Sequence, residues 1–166
     1  YNTTSAGLNR VICMNDGGIN YSADGGTTWQ DRNVGLRTLE YYSVATNPSD
    51  QNNYLAGAQD NGSHQFTQPG LGSTYQVSGG DGANVGIDQL TPNNQITAYT
   101  YNYYYVCTDK GVNLRDSYIG TNIDQTGMFI NPFDFDGKAK KLYASTTAGQ
   151  YLRWDDPLTT KNTYPK

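Results

Sequence analysis

Tyr42-Ser-Val-Ala-Thr-Asn-Pro48, a polar turn, and Tyr54-Leu-Ala-Gly-Ala-Gln-Asp-Asn-Gly62 make up a stretch that recurs twice further along the chain. The second copy starts at Val85-Gly-Ile-Asp88, turns through Thr91-Pro-Asn-Asn94 and resumes as Gln95-Ile-Thr-Ala-Tyr-Thr-Tyr101. The third runs Met128-Phe-Ile-Asn-Pro132, turns through Asp134-Phe-Asp-Gly137 and resumes at Lys141-Leu-Tyr-Ala-Ser-Thr146. Aligning Asn47, Asp88 and Asn131 gives spacings of 41 and 43 residues. Each copy alternates apolar and polar positions between Pro, Asn, Asp or Gly, the pattern of short strands joined by tight turns.

A period of this length signals the blades of a β-propeller. Asn15-Asp-Gly-Gly18 aligns with Gln59-Asp-Asn-Gly62, so an earlier blade begins near the N-terminus. With strands a to d running from inside to outside, the spacing predicts blades over residues 1–35, 41–80, 83–118 and 127–166, the first lacking strand a. Closed propellers use about four to eight complete blades, and an incomplete blade leaves an unpaired edge that native sheets avoid. The expectation is therefore an all-β chain of about four four-stranded blades, part of a larger ring completed by further blades or a partner chain.

Composition agrees with strands and turns: 19 Gly and 15 Tyr stand in a chain in which only 16% of residues are charged. The net charge of −4 and scattered Lys and Arg offer no basic stripe for nucleic acid. No apolar run reaches the roughly 18 residues that a membrane helix needs, and no charged-then-apolar leader opens the sequence. The Asn-, Gly- and Tyr-rich composition, with one Glu and one His, points to an exported protein of which the given N-terminus is not the native start. Cys13 and Cys107 lie in different strand runs, so both are expected as buried small apolar residues rather than as a disulfide.

Ser22-Ala-Asp24-Gly25-Gly26-Thr27-Thr28-Trp29 matches Ser-x-Asp-x-Gly-x-Thr-Trp at every defined position. It resembles the Asp box, or BNR repeat, of sialidases, sortilin-type propellers and several propeller glycoside hydrolases. The box is a hairpin turn: the carboxylate accepts backbone N–H groups, Gly supplies positive φ, and Trp is expected to pack into the sheet stack. The resemblance implies a structural role for Ser22, Asp24, Gly26, Thr28 and Trp29, between strands c and d and away from any active site. Gly57-Ala-Gln-Asp-Asn-Gly62 with Ser78-Gly-Gly-Asp-Gly82 and Val85-Gly-Ile-Asp88 is similar to large secreted propellers of Bacteroidetes-type bacteria, sortilin-like or glycosyl-hydrolase-like. Many of those carry a sorting domain for the type nine secretion pathway, which implies a secreted or cell-surface location here.

In such propellers, b–c and d–a loops gather on the ligand face. That rule places Asn15, Asp16, Arg37, Glu40, Gln59, Asp60, Asn61, Asp81, Tyr101, Asn102 and Tyr103 there, and the Asp box with residues 48–53, 92–94 and 134–138 opposite. Asp16, Asp60 and Asp81 form an arc of carboxylates among amides and tyrosines, groups that hydrogen-bond hydroxyls and stack on sugar rings. A glycosidase would need two of them about 5 to 9.5 Å apart, one with a raised pKa. As plain turn formers, Asp-Gly and Asp-Asn-Gly need no such role.

The arginine triad, nucleophile pair and Arg-Ile-Pro entry motif of sialidases find no match among Arg10, Arg32, Arg37, Arg115 and Arg153. The xyloglucan-cleaving two-propeller hydrolases fit better, with Asp60 and Asp81 as acid/base candidates, although their catalytic aspartates lie on separate propellers. Asp134-Phe-Asp136-Gly137 resembles the start of a calcium loop, but Lys138, Lys140 and Lys141 stand where further oxygen ligands belong, so a plain a–b turn is favoured. His64 has no companion ligand or nucleophile. Tyr99, Tyr101, Tyr103, Tyr104 and Tyr105 straddle a b–c turn, some buried by alternation and some exposed as a platform. No metal or cofactor is expected. The favoured function is a noncatalytic module that binds protein or glycan through the loop face. Part of a propeller glycoside hydrolase and a structural adhesin or filament subunit are the alternatives.

Overall fold

The computed structural model describes residues 2–3, 9–15, 17–36, 39–70, 72, 74–111, 119–124, 126–146 and 148–159. They are all strand and turn, arranged in two compact units, Tyr1–Thr38 and Leu39–Lys166.

The first unit is one antiparallel sheet in the order β1 (Asn2–Thr3), β2 (Asn9–Asn15), β3 (Gly18–Ser22) and β4 (Gln30–Asp31). Its first strand, expected to be missing, is present as a two-residue piece paired to β2. The segment Ser22–Trp29 closes the β3–β4 hairpin by side-chain chemistry. Ser22 Oγ donates to Asp24 Oδ1 at 2.8 Å and accepts the Gly26 N–H at 2.8 Å. The Thr28 N–H and hydroxyl donate to the Asp24 carboxylate at 2.9 and 2.6 Å. Gly25 and Gly26 supply φ of 74° and 97°. Donation from the Thr28 hydroxyl, then the Thr28 amide, then Ser22, brings the Asp24 pKa down to about 2. Trp29 departs from expectation: it keeps 46% of its surface exposed and lies beside Gly26 rather than inside a stack. Cys13 is exposed too, flanked by exposed Ile12 and Met14 on β2.

The second unit holds three sheets. The first of them runs β5 (Tyr41–Asn47), β6 (Asp50–Ala58), β7 (Gly62–Phe66) and β8 (Tyr75–Ser78). The next runs β9 (Val85–Ile87), β10 (Gln95–Ala98), β11 (Asn102–Cys107) and β12 (Ile119–Asp124). The last has three strands among the described residues, β13 (Phe133–Asp136), β14 (Lys141–Ser145) and β15 (Tyr151–Asp155). Every sheet is a meander, each strand pairing antiparallel to its sequence neighbour.

Two apolar layers join these sheets. Leu55, Val77, Val85 and Ile87 fill the first, with Ala45 and Tyr75 at its margin. Ile96, Ala98, Tyr104, Val106, Leu142, Ala144 and Trp154 fill the second, with Phe133, Phe135 and Leu152 packed against them. Period-2 alternation puts both layers on one strand: Ile96 and Ala98 of β10 face β14, while the Thr97 hydroxyl donates to Ser78 Oγ at 3.0 Å on the other side.

Strand register corrects the sequence alignment. Thr46–Tyr54–Phe66, Ile87–Gln95–Cys107 and Asp136–Lys141–Asp155 are equivalent rungs across the three sheets. Asn47 therefore ends a strand and Asp88 follows one, whereas Asn131 precedes one. Of Asp134-Phe-Asp-Gly137, expected as a turn, the first three residues belong to strand β13, in which half-buried Phe133 and Phe135 alternate with exposed Asp134 and Asp136. The turn comes one step later. Asp136 Oδ1 opens it by accepting the Lys138 and Ala139 amides at 2.9 Å each, so this carboxylate serves the plain turn. The third sheet also extends beyond residue 118, since β12 occupies 119–124.

The equivalent rungs end strand c at Ser22, Phe66, Cys107 and Asp155, and at Cys107 the first hairpin turn repeats. The Cys107 thiol donates to Asp109 Oδ1 at 2.8 Å, and accepts the Asp109 and Gly111 amides at 3.4 and 2.9 Å. Ser22 makes the same three bonds to Asp24 and Gly26. Cys107-x-Asp109-x-Gly111 is thus a second copy of the turn with sulfur in place of oxygen, and Gly111 has φ of 73°. Burial, and then the Asp109 carboxylate, push the thiol up to about 11. Cys107→Ser is expected to leave the unfolding midpoint nearly unchanged, whereas Cys107→Ala should cost about 1–2 kcal/mol by stranding two amides. A thiol reagent should label exposed Cys13 in the folded chain and reach buried Cys107 only on unfolding.

Candidate functional site

Because every sheet is an antiparallel meander, the connections of the second unit alternate between two ends. One end gathers residues 39–41, 59–61, 79–84, 99–101, 126–132 and 148–150. Backbone hydrogen bonds knit it together across the sheets. Gln59 N–H donates to Glu40 O at 2.9 Å, Gly82 N–H to Ala58 O at 2.8 Å, and Ala83 N–H to Ala98 O at 3.0 Å. Gly57 lies so close to the Ala83 carbonyl that a Cβ there would overlap it, which is why two loops can meet backbone to backbone.

Asp60 and Asp81, far apart in sequence, meet here. The Asp60 N–H donates to Asp81 Oδ1 at 3.2 Å, and Asp60 holds φ of 56°. Glu40 and Asp60 are exposed and Asp81 is half-buried. Tyr42 follows Glu40 by two residues on β5, and its phenol is pushed up by burial and then by the negative charges of Asp81, Glu40 and Asp60. Asn61 is a hub of the turn: its Nδ2 donates to Gln59 O at 2.8 Å, and its carbonyl accepts from Gln76 Nε2 and His64 Nε2, each at 2.8 Å. The other ring nitrogen of His64 faces the Thr74 hydroxyl at 3.1 Å, so the histidine serves the hairpin.

The tyrosines divide between core and surface. Tyr104 is fully buried, its hydroxyl donating to Asn102 Oδ1 at 2.8 Å, and burial drives its pKa far up. Tyr99, Tyr103 and Tyr105 are half-buried and contact one another edge-on, with centroids 6.0 and 5.0 Å apart. Tyr99 covers Gly80, where a Cβ would strike the ring. Burial, and then Tyr103, push Tyr105 up to about 12. Tyr101 projects from the tip, 40% exposed, with φ of 55°, its N–H donating to Phe129 O at 2.8 Å and its ring edge-on to Phe129. A non-glycine aromatic in the left-handed region costs about 1 kcal/mol or more, and such strain concentrates at functional loops.

Asn102, grouped with the loop face by sequence, turns inward instead. It is fully buried, its Nδ2 donating to Thr126 O and Ser145 O at 3.2 and 3.0 Å. Asp16 and Arg37 lie outside the described residues. Sequence reasoning missed Tyr42, read simply as a strand member, and Met128 and Phe129, read as strand when they belong to a loop. A shallow groove of about 500 Å³ adjoins this end along the last sheet, lined by Pro132, Phe133, Asp134, Tyr143, Gln150 and Tyr151 among others.

No protein-family model and no curated protein sequence matches the chain. Solved structures do. The Niastella koreensis GH74 enzyme matches with 14% identity over 91% of this chain and 22% of its own, at a TM-score of 0.51. An ancestral GH74 enzyme matches with 15% identity over 87% of this chain and 21% of its own, at 0.50. YCF48 bound to D1 peptide matches with 17% identity over 84% of this chain and 45% of its own, at 0.49. The chain spans less than half the length of each of these. With four small antiparallel meander sheets and these neighbours, the chain is an array of β-propeller blades.

Proposed function

We propose that this chain is a noncatalytic binding module of an exported or cell-surface protein, holding a protein or glycan partner across the loop end of residues 39–166. The observation that carries the reading is the openness of the carboxylates. Asp60 is exposed on its turn, and Asp81 spends an oxygen on the Asp60 amide. A glycosidase acid must instead sit in a sheltered place that raises its pKa, opposite a second carboxylate. The groove beside the last sheet offers a single carboxylate, Asp134. What the loop end does offer is exposed aromatic and amide surface, with a strained Tyr101 at its tip. Export is supported by composition, which is rich in Asn, Gly and Tyr and poor in charge.

A reducing-sugar assay on xyloglucan and other β-glucans tests the catalytic question. The expected result is no turnover above background, unchanged in the double variant D60N/D81N. Turnover that disappears in D60N/D81N while the fold is retained would establish a hydrolase and overturn the noncatalytic reading.

A further inference from the structure

The two ends of the second unit differ in charge. Among the described residues, the connections at the loop end contain Glu40, Asp60 and Asp81 and no Lys or Arg. The connections at the opposite end contain Asp88, Asp109 and Asp156 balanced by Lys110, Lys138 and Lys140. Among the described residues, the charge on the connections of this end is therefore all of one sign, negative. The same end carries the apolar exposure. Leu39, Tyr42 and Tyr101 are each about 40% exposed, and Met128 and Phe129 are 58% and 52% exposed. On the connections of the opposite end, Leu90 stands out as the exposed large apolar side chain. Contiguous exposed aromatics mark interaction surfaces, and a single-sign rim selects the sign of the partner.

We propose that the loop end of residues 39–166 is a docking surface for a basic polypeptide segment in which Lys or Arg alternates with apolar residues. This rests on the reading of that end as the binding face. The chemistry is complementary at each part. Backbone hydrogen bonds bring Glu40, Asp60 and Asp81 onto adjoining turns, with Tyr42 two residues past Glu40, so a cation seated there meets carboxylates and an aromatic side chain. Arg is favoured there, since its guanidinium can stack and pair at once. The neighbouring apolar residues of the segment then fall on Tyr101, Met128 and Phe129, which backbone and ring contacts hold together. A neutral sugar would satisfy the aromatics but leave three like charges uncompensated. An acidic segment would be repelled.

The test is a calorimetric titration of the whole chain with three probes. One is a synthetic peptide alternating Arg or Lys with Leu and Tyr, one the same peptide with Glu at the basic positions, and one a soluble β-glucan oligosaccharide. The basic peptide is expected to bind at least about tenfold more tightly than the acidic one, and to weaken as salt shortens the screening length from about 10 Å toward 3 Å. The isosteric triple variant E40Q/D60N/D81N should lose that preference, and Y101N should weaken binding of either peptide, with unchanged melting midpoints showing that both variants fold. Equal affinity for the two peptides, or a preference that survives the triple variant, overturns the basic-segment proposal while a Y101N effect keeps the face as the site. Glycan binding lost in Y101N has the same meaning. Binding of any probe that is indifferent to both variants, or no binding at all, overturns the proposal and the reading of the face together.

Discussion

Replacing Asp88 by alanine should destabilise residues 39–166 by about 3–5 kcal/mol, the range for breaking a buried, hydrogen-bonded ion pair. The Asp88 carboxylate has no exposed surface. One oxygen accepts the Leu90 and Thr91 amides at 2.9 and 3.2 Å, and the other meets Asn94 Nδ2 at 3.0 Å and Lys140 Nζ at 2.8 Å. Lys140 comes from the turn of the neighbouring sheet, so this carboxylate both closes its own turn and clamps two sheets. Because Lys140 is 35% exposed it can return to water, which places the expected cost near the lower end. Asp88→Asn keeps an acceptor for the amides and should cost less than half as much. Urea unfolding of the three chains measures both values.

The same group gives an acid dependence of known sign. Burial pushes Asp88 upward, but Lys140, Asn94 and the two amides outweigh it and hold the folded pKa below the ordinary 3.8. The unfolded chain therefore takes up this proton first as pH falls. The contribution is fully present above 3.8 and is lost as pH falls through the lower folded value. Asp24, brought down to about 2, acts in the same direction in the first unit. Asp88→Asn should flatten the acid limb of the stability profile.

The second large effect belongs to Asn131. It is fully buried between the last two sheets, where its Nδ2 donates to Asn102 Oδ1 at 2.7 Å and Ser145 O at 2.9 Å. Its Oδ1 accepts the Ser145 hydroxyl at 2.6 Å and the Met128 N–H at 3.2 Å. Asn131→Ala should cost about 2–4 kcal/mol, since a buried network loses several partners at once. Asn131→Asp has nearly the same shape but puts an acceptor against the Asn102 and Ser145 oxygens, so at neutral pH it should cost at least as much as alanine. Thermal unfolding at matched pH decides between loss of volume and loss of donors. A functional consequence follows, because Asn131 anchors the loop bearing Met128 and Phe129, on which Tyr101 rests.

The repeat that revealed the fold was readable because turn chemistry and alternation coincide over residues 42–62 and 85–101. It was less readable where they conflict. Phe133-Asp-Phe-Asp136 carries strand alternation and turn residues together; the half-buried rings on the apolar layer decide in favour of strand. The second hairpin box was hidden because the sequence has Cys107 for Ser and Asn113-Leu114 for Thr-Trp, although its Asp-x-Gly spacing was in plain view. The meeting of Asp60 with Asp81 follows from meander topology once the blades are placed. That Tyr42 feels the charge of three carboxylates does not, because alternation assigns it to a face but says nothing of what charge the loops bring near it. The Asp88–Lys140 clamp joins residues 52 positions apart, a pairing set by sheet stacking alone.

Amide chemical-shift mapping of the isotopically labelled chain, titrated with the basic alternating peptide, tests most directly whether recognition lies at this loop end. Shifts should concentrate at residues 40–42, 59–61, 80–82, 99–103 and 128–129. Shifts centred on residues 88–94 and 137–140, or spread evenly over both ends, would contradict the account.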